Sequence, residues 1–311
     1  MKSGYINARD GKIELSKIII GTSSFGTTIK NTDEMFDTYY SAGGRSIDTA
    51  RIYGDGISEQ VVGEWIKRRD VRKDVQIITK GAHPLLGQMN ISRLNREDIL
   101  SDCHDSLKAL QTDYIDVYFL HRDDKTLPVS GIMDALHELV SLGKAKAIGA
   151  SNWTVKRILE ANSYAAQNGK TPFCVSQILW SYAQCTSEAW GDTTLICMSD
   201  AEYAEYLKAN IPVMAFSPQA KGMFSKYIEN GENALNDKII RRFLTDENKK
   251  RIEKVREICS ETGMSPAATT LSYITDNPLN GFAIVGCSST EQLKDSLSAM
   301  KRKDGIFDAF K

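Results

Sequence analysis

The stretch that decides the fold is Val75–His121, VQIITKGAHPLLGQMNISRLNREDILSDCHDSLKALQTDYIDVYFLH. It begins and ends on apolar runs, Val75–Lys80 and Ile115–His121. Between them Ile99, Leu100, Cys103, Leu107 and Leu110 recur at spacings of three and four, the period of one helix face. The stretch therefore predicts strand, helix, strand. Neither run alternates cleanly between apolar and polar residues, as expected of parallel strands covered on both sides.

Outward from this unit the same pattern continues. Further apolar runs are Ile18–Gly21, Ser46–Asp48, Ala145–Ala150, Phe173–Ile178, Pro212–Ser217 and Phe282–Gly286, which makes eight in all. Ile132, Leu136, Leu139 and Val140 predict a helix ended by Gly143. Ile252, Val255, Ile258 and Cys259 predict another ended by Gly263. Ser199-x-x-Glu202 and Ser289-x-x-Gln292 have the form of capping boxes. Eight strands alternating with helices predict an α/β fold of the (β/α)8 TIM-barrel type. A doubly wound open sheet is the alternative. It would carry GxGxxG after the first strand, where this chain has GTSSFG at 21–26.

Asp10-Gly11 is a hairpin turn signal inside Tyr5–Leu15. That hairpin is expected to close the bottom of the barrel. Long connections from about Trp180 to Met198 and from about Gln219 to Asp246 are expected at the catalytic face. No repeat or boundary divides the chain, so residues 1–311 read as a single domain.

Composition excludes several classes of function. Hydrophobic residues make up 41% and charged residues 25%, enough for a large core, and the net charge is −1. No basic block suggests a nucleic-acid surface, and no acidic tail suggests disorder. No apolar run approaches the roughly 18 residues of a membrane span. The polar opening MKSGYINARDGKIEL lacks the form of a signal peptide. The six cysteines form no CxxC pair and read as reduced thiols of a cytoplasmic protein. The four histidines show no metal-ligand spacing, so no metal is expected. Nothing in the sequence speaks to the oligomeric state.

Residues 48–59, DTARIYGDGISE, carry the chemistry. They place the carboxylate of Asp48 five residues before the phenol of Tyr53. Lys80 and His121 end the third and fourth runs. In a barrel these strand tips share one face. A phenol ordinarily has a pKa of about 10. An ammonium beside it lowers that value, and a carboxylate behind the ammonium keeps the lysine charged. Such a phenol can protonate a carbonyl oxygen while a hydride attacks the carbon. A single strand-end lysine or histidine is usually structural, but four titratable groups on neighbouring tips form a candidate site.

These motifs resemble the aldo-keto reductase family over essentially the whole chain. DTARIYGDGISE is similar to the family's DTAxxYGxxxSE signature. The lysine-ended run Val75–Lys80, Phe119-Leu120-His121 and Ala147-Ile148-Gly149-Ala150-Ser151-Asn152 are similar to its later strands. The resemblance implies an NAD(P)H-dependent reductase of aldehydes or ketones on a (β/α)8 barrel. It implies Tyr53 as general acid, Lys80 as the group that lowers its pKa, Asp48 as the partner of Lys80, and His121 as the group that orients the carbonyl. It assigns Ser151, Asn152 and Gln177 to the nicotinamide carboxamide and Phe216 to stacking on the ring. It also assigns Gly21, Thr22, Ser23 and Asp48 to the cofactor from the first two strands, and Ser217, Pro218, Gln219, Lys221 and Gly222 to a loop over the pyrophosphate. Lys221 reads equally well as a solvated surface charge. Gly286, Ser288 and Ser289 precede a helix N-terminus suited to an anion, with Gln292 and Ser296 toward the adenosine. Many NADP-dependent members carry a basic residue in this segment, whereas GCSSTE (286–291) has none. NADPH is expected on family grounds, with NADH as the alternative.

For the small-molecule carbonyl substrate, Phe25, Trp153 and Trp180 are the candidates for an apolar wall, and Trp190 for a cover. His83 and Arg122 are the polar candidates. Arg122-Asp123-Asp124 reads also as a local ion pair. The short basic stretch KRKDGIFDAFK after Met300 predicts an open site and a small or sugar-derived carbonyl. A barrel that binds the cofactor as a sensor or regulatory subunit is the alternative function. A hydrolase or lyase without nicotinamide is a third.

Overall fold

Every apolar run of the sequence forms a parallel strand in the computed structural model, which describes residues 1–302 and 304–311. A hairpin comes first, β1 (Ser3–Ala8) paired antiparallel with β2 (Gly11–Ser16). The barrel strands follow: β3 (Ile18–Gly21), β4 (Ser46–Asp48), β5 (Gln76–Gly81), β6 (Ile115–Leu120), β7 (Ala145–Ser151), β8 (Val175–Leu179), β9 (Val213–Phe216) and β10 (Gly281–Val285). They close in sequence order, with β10 pairing back onto β3. This is a (β/α)8 TIM barrel, and the open-sheet alternative is excluded by the closure.

Alternation along the strands divides the core in two. Ile19, Ile78, Val117, Phe119, Ala147, Val175, Met214, Phe282 and Ile284 fill the interior. Their neighbours Ile18, Ile20, Ile47, Ile77, Tyr118, Ile148 and Ile178 face outward onto the helices. Ile6, Ile13 and Leu15 of the hairpin join the interior cluster, so the hairpin stoppers one end of the barrel. Its tight turn is Arg9-Asp10, one residue earlier than predicted, and Gly11 begins β2 at φ 133°. The opposite end stays open for the site.

Helix Val129–Ser141 runs out just before Gly143, and helix Asp246–Thr262 is capped by Gly263. Both glycines sit at φ 68°. Ser199 and Ser289 cap their helices as predicted, accepting from the amides of Glu202 and Gln292. The reciprocal halves go elsewhere. Glu202 accepts from the amide of Val155 and Gln292 from that of Ser288. Both long connections contain helix: the first a single turn, Ser187–Trp190, the second Met223–Asn230 and Asp237–Phe243. Tyr182, Met223, Phe224, Ile239 and Phe243 give them a core of their own, which Phe310 of the terminal stretch joins. Within that stretch Lys303 lies outside the described residues. No helix among the described residues is long and apolar enough to cross a membrane.

Helix Ile57–Arg69 is tied to β5 by Glu59, whose Oε1 accepts from the Thr79 hydroxyl at 2.6 Å. Oε2 has no partner, and burial pushes the Glu59 carboxyl up from 4.5 to about 7. Between these values the folded state keeps a proton that the unfolded state releases, so stability falls as pH rises through this window. Glu59→Gln removes the effect. Chemical denaturation is expected to show the variant more stable than the parent at about pH 8, by on the order of 2 kcal/mol, with the gain vanishing towards pH ~4.5.

Candidate active site

The inward positions two residues beyond each interior apolar residue form the floor of the site. Ile78 leads to Lys80, Phe119 to His121, Gly149 to Ser151, Val175 to Gln177, Met214 to Phe216 and Ile284 to Gly286. Asp48 ends β4 beside β5, and Tyr53 opens the single turn Tyr53–Gly56 that follows.

Lys80 Nζ donates to Asp48 Oδ1 at 2.7 Å and to the Thr49 carbonyl at 2.7 Å. Gln177 Nε2 donates to Asp48 Oδ2 at 2.9 Å. The Lys80 and Asp48 side chains are 0% and 3% exposed. Burial works against the Lys80 ammonium, but Asp48 and Tyr53 more than offset it, so its pKa lies above the ordinary value. Burial likewise pushes the Asp48 carboxyl up, opposed by Lys80 and Gln177.

Lys80 Nζ lies 5.1 Å from the Tyr53 ring centroid. The Tyr53 phenol sits above its ordinary value, because burial outweighs the pull of the Lys80 charge. This corrects the lowered pKa read from the sequence: the ammonium is in place, but the phenol loses more solvation than the ammonium returns. The His121 ring stands 5.8 Å from that of Tyr53. Burial, then Lys80, Arg122 and His83, hold His121 well below its ordinary value, so it is a neutral imidazole whose buried Nδ1 has no partner.

A cavity of about 960 Å³ opens from this cluster. That volume is at the upper end for small-molecule sites. Gly21, Thr22, Ser23, Asp48, Ser151, Asn152, Gln177, Phe216, Ser217, Pro218, Gln219, Lys221, Gly222, Gly286, Ser288, Gln292 and Ser296 all line it. Ser289 does not, since its hydroxyl is spent capping helix Thr290–Ser298. Asn152 is also committed, to the His121 carbonyl, Ser151 Oγ and the amide of Ile196, so it braces the wall. Gln219 Nε2 donates across the cavity to Ser296 Oγ at 3.1 Å.

Left-handed backbone at non-glycine residues clusters here: Asn152 (φ 60°), Ser217 (53°), Ala220 (48°) and Lys221 (57°). Such conformations each cost about 1–3 kcal/mol and gather at functional sites. Between Phe216 and helix Met223–Asn230 this backbone bends around the cavity edge, a form suited to a pyrophosphate. Among the described residues no group of three or more His, Cys, Asp or Glu side chains is placed to hold a metal.

Residues 17–304 match the family described as Aldo/keto reductase. The chain belongs to the aldo/keto reductase family. It is 31% identical to the probable aryl-alcohol dehydrogenase AAD4 of Saccharomyces cerevisiae, over 87% of this chain and 83% of that one. It is 29% identical to the aryl-alcohol dehydrogenase [NADP(+)] of Phanerodontia chrysosporium, over 93% and 78%. It is 28% identical to the uncharacterized oxidoreductase YrpG of Bacillus subtilis, over 93% and 88%. This aldo/keto reductase is accordingly an oxidoreductase of the carbonyl/alcohol class.

The predicted apolar wall is the main correction. Phe25 is buried edge-on against Phe36, Trp153 is buried against Phe173, and Trp180 packs between Tyr203 and Tyr273. None of the three lines the cavity. Trp180 follows outward-facing Ile178, so alternation turns it towards the helices. Trp153 follows the left-handed Asn152, which breaks the alternation. In this aldo/keto reductase Ile52, Leu86, Trp190 and Leu195 supply the apolar surface instead.

Arg122 does line the cavity. It pairs with Asp192 at 3.2 Å, and Asp123 is taken by Arg157, so the local ion pair is absent. Asp192, Leu86 and Leu195 sit on loops that carry no strand-tip signal, and sequence reading missed them.

The Asp48–Lys80 pair sets the stability of the site. Asp48→Ala leaves a buried ammonium without its carboxylate. Denaturant unfolding is expected to show a loss of about 3–5 kcal/mol, with a smaller loss in the double variant Asp48→Leu/Lys80→Met.

Proposed function

We propose that this chain reduces aldehydes and ketones to alcohols with a reduced nicotinamide dinucleotide, residues 1–311 acting as one barrel domain. The observation that carries the reading is the buried Lys80 ammonium, held by Asp48 and set beside the Tyr53 phenol at the cavity. The bound dinucleotide would supply the hydride.

The chain's own residues do the rest. Tyr53 protonates the developing alkoxide, and Lys80 stabilises the phenolate this leaves. Neutral His121 hydrogen-bonds the carbonyl oxygen and orients it. Ser151 and Gln177 present polar groups to the carboxamide, and Phe216 offers a ring face. Ser217–Gly222 and the N-terminus of helix Thr290–Ser298 favour the phosphates. We favour NADPH, because a relative carries NADP(+) in its name and Lys226 adds a cation to the cavity wall. A comparison of tryptophan fluorescence quenching by NADPH and NADH is expected to show tighter NADPH binding, and equal or tighter NADH binding contradicts the preference.

Tyr53→Phe tests the acid. Its kcat for carbonyl reduction is expected to fall by about 10²–10⁴-fold while NADPH still quenches the fluorescence. Unchanged kcat rules Tyr53 out. Burial raises the pKa of Tyr53, so the acid stays protonated through neutral pH. Reduction is expected to hold level until alkaline pH and then fall, while alcohol oxidation, which needs the phenolate, rises over the same range. Parallel pH profiles in the two directions contradict the assignment.

A further inference from the structure

His83 lies in the same cavity and has no part in the proton transfer described above. It sits two residues past the end of β5, after Ala82, which is held at φ 56°. Its ring stands 4.8 Å from that of His121, at 74°. A substrate carbonyl held by His121 is thus within a few bonds of His83.

The tautomer of His83 is fixed by its surroundings. Nδ1 is 2.6 Å from the carbonyl oxygen of Pro84. A carbonyl only accepts, so Nδ1 carries the hydrogen. Burial holds the His83 pKa below the ordinary value, so the ring is neutral and Nε2 is a bare acceptor. Nε2 makes no hydrogen bond to the described residues and is not among their sealed polar atoms. It opens on the cavity.

The charged groups that act on His83 are paired: Arg93, which donates to the His83 carbonyl, is held by Asp98 and Asp102. Arg122 donates to Asp192, Thr194 and the His121 carbonyl, and faces His83 as part of a neutralised pair. Neither Arg122 nor Arg93 is therefore free to take an anionic substrate at His83. Ile52, Leu86, Trp190 and Leu195 give the same cavity apolar surface. An open acceptor beside such apolar surface suits a ligand that carries a donor on an apolar body.

We infer that His83 selects carbonyl substrates whose apolar, aryl-type body carries a hydroxyl, which donates its hydrogen to Nε2. The inference rests on the carbonyl-reductase reading above and names the substrate class of that site.

Two aldehydes of matched shape test it, meta-hydroxybenzaldehyde and meta-methylbenzaldehyde, with NADPH. The parent protein is expected to prefer the hydroxylated one by about tenfold in kcat/KM. In His83→Phe that preference is expected to fall to about parity. In His83→Gln, which keeps an acceptor, most of it is expected to remain. If the phenylalanine variant does not fold, the parent preference and the glutamine variant, set beside His83→Leu, still decide. A preference that survives in the phenylalanine or leucine variant overturns the inference. So does a parent protein that reduces both aldehydes equally, and in either case the carbonyl-reductase reading stands. Reduction of neither aldehyde by the parent counts against that reading itself, and this inference falls with it.

Discussion

The site depends on one buried ion pair, Asp48 with Lys80. Taking both charges out of water is costly and is repaid only when geometry and further hydrogen bonds are good. Here both conditions are met. Lys80 has a second acceptor in the Thr49 carbonyl, and Asp48 has a second donor in Gln177. The barrel makes this possible by placing β4 beside β5 in parallel register, so that the tip of one faces the tip of the other. Gln177 reaches Asp48 from β8, across the mouth of the barrel, a link that only closure of the sheet provides.

The same alternation that fills the barrel aims the site. Interior positions are filled by apolar residues until the last step, where β4 to β8 turn to Asp48, Lys80, His121, Ser151 and Gln177 and the other three strands to Gly21, Phe216 and Gly286. Beyond the strand ends the chain turns through left-handed residues, which set the direction of Ser217, Lys221 and the wall behind Asn152. The hairpin seals the far end, leaving one mouth.

Most of this was legible in the sequence because it lies on strands. Asp48, Lys80, His121, Ser151, Gln177 and Phe216 fall at strand ends whose parity can be counted. What was not legible lies past those ends. Trp153, Trp180 and Phe25 look like pocket walls by position, yet parity turns Trp180 and a reversed backbone turns Trp153 into packing, and Phe25 packs on Phe36. Leu86 and Asp192 reach the cavity through loop conformation and through a contact between residues 70 apart in the chain. The long connections hid helices because their apolar residues serve a separate core. The direction of the Tyr53 pKa was missed for another reason. Sequence shows the neighbouring charge but not the depth of burial, and burial is the larger effect here.

The coupling between Lys80 and Tyr53 can be read directly. Tyrosines labelled with ¹³C at the ζ carbon, with the Tyr53 signal assigned by its loss in Tyr53→Phe, report the phenol titration by NMR. Lys80→Met is expected to move the Tyr53 pKa upward by about one unit or more relative to the parent. An unchanged or lowered value would mean that the ammonium does not govern the phenol.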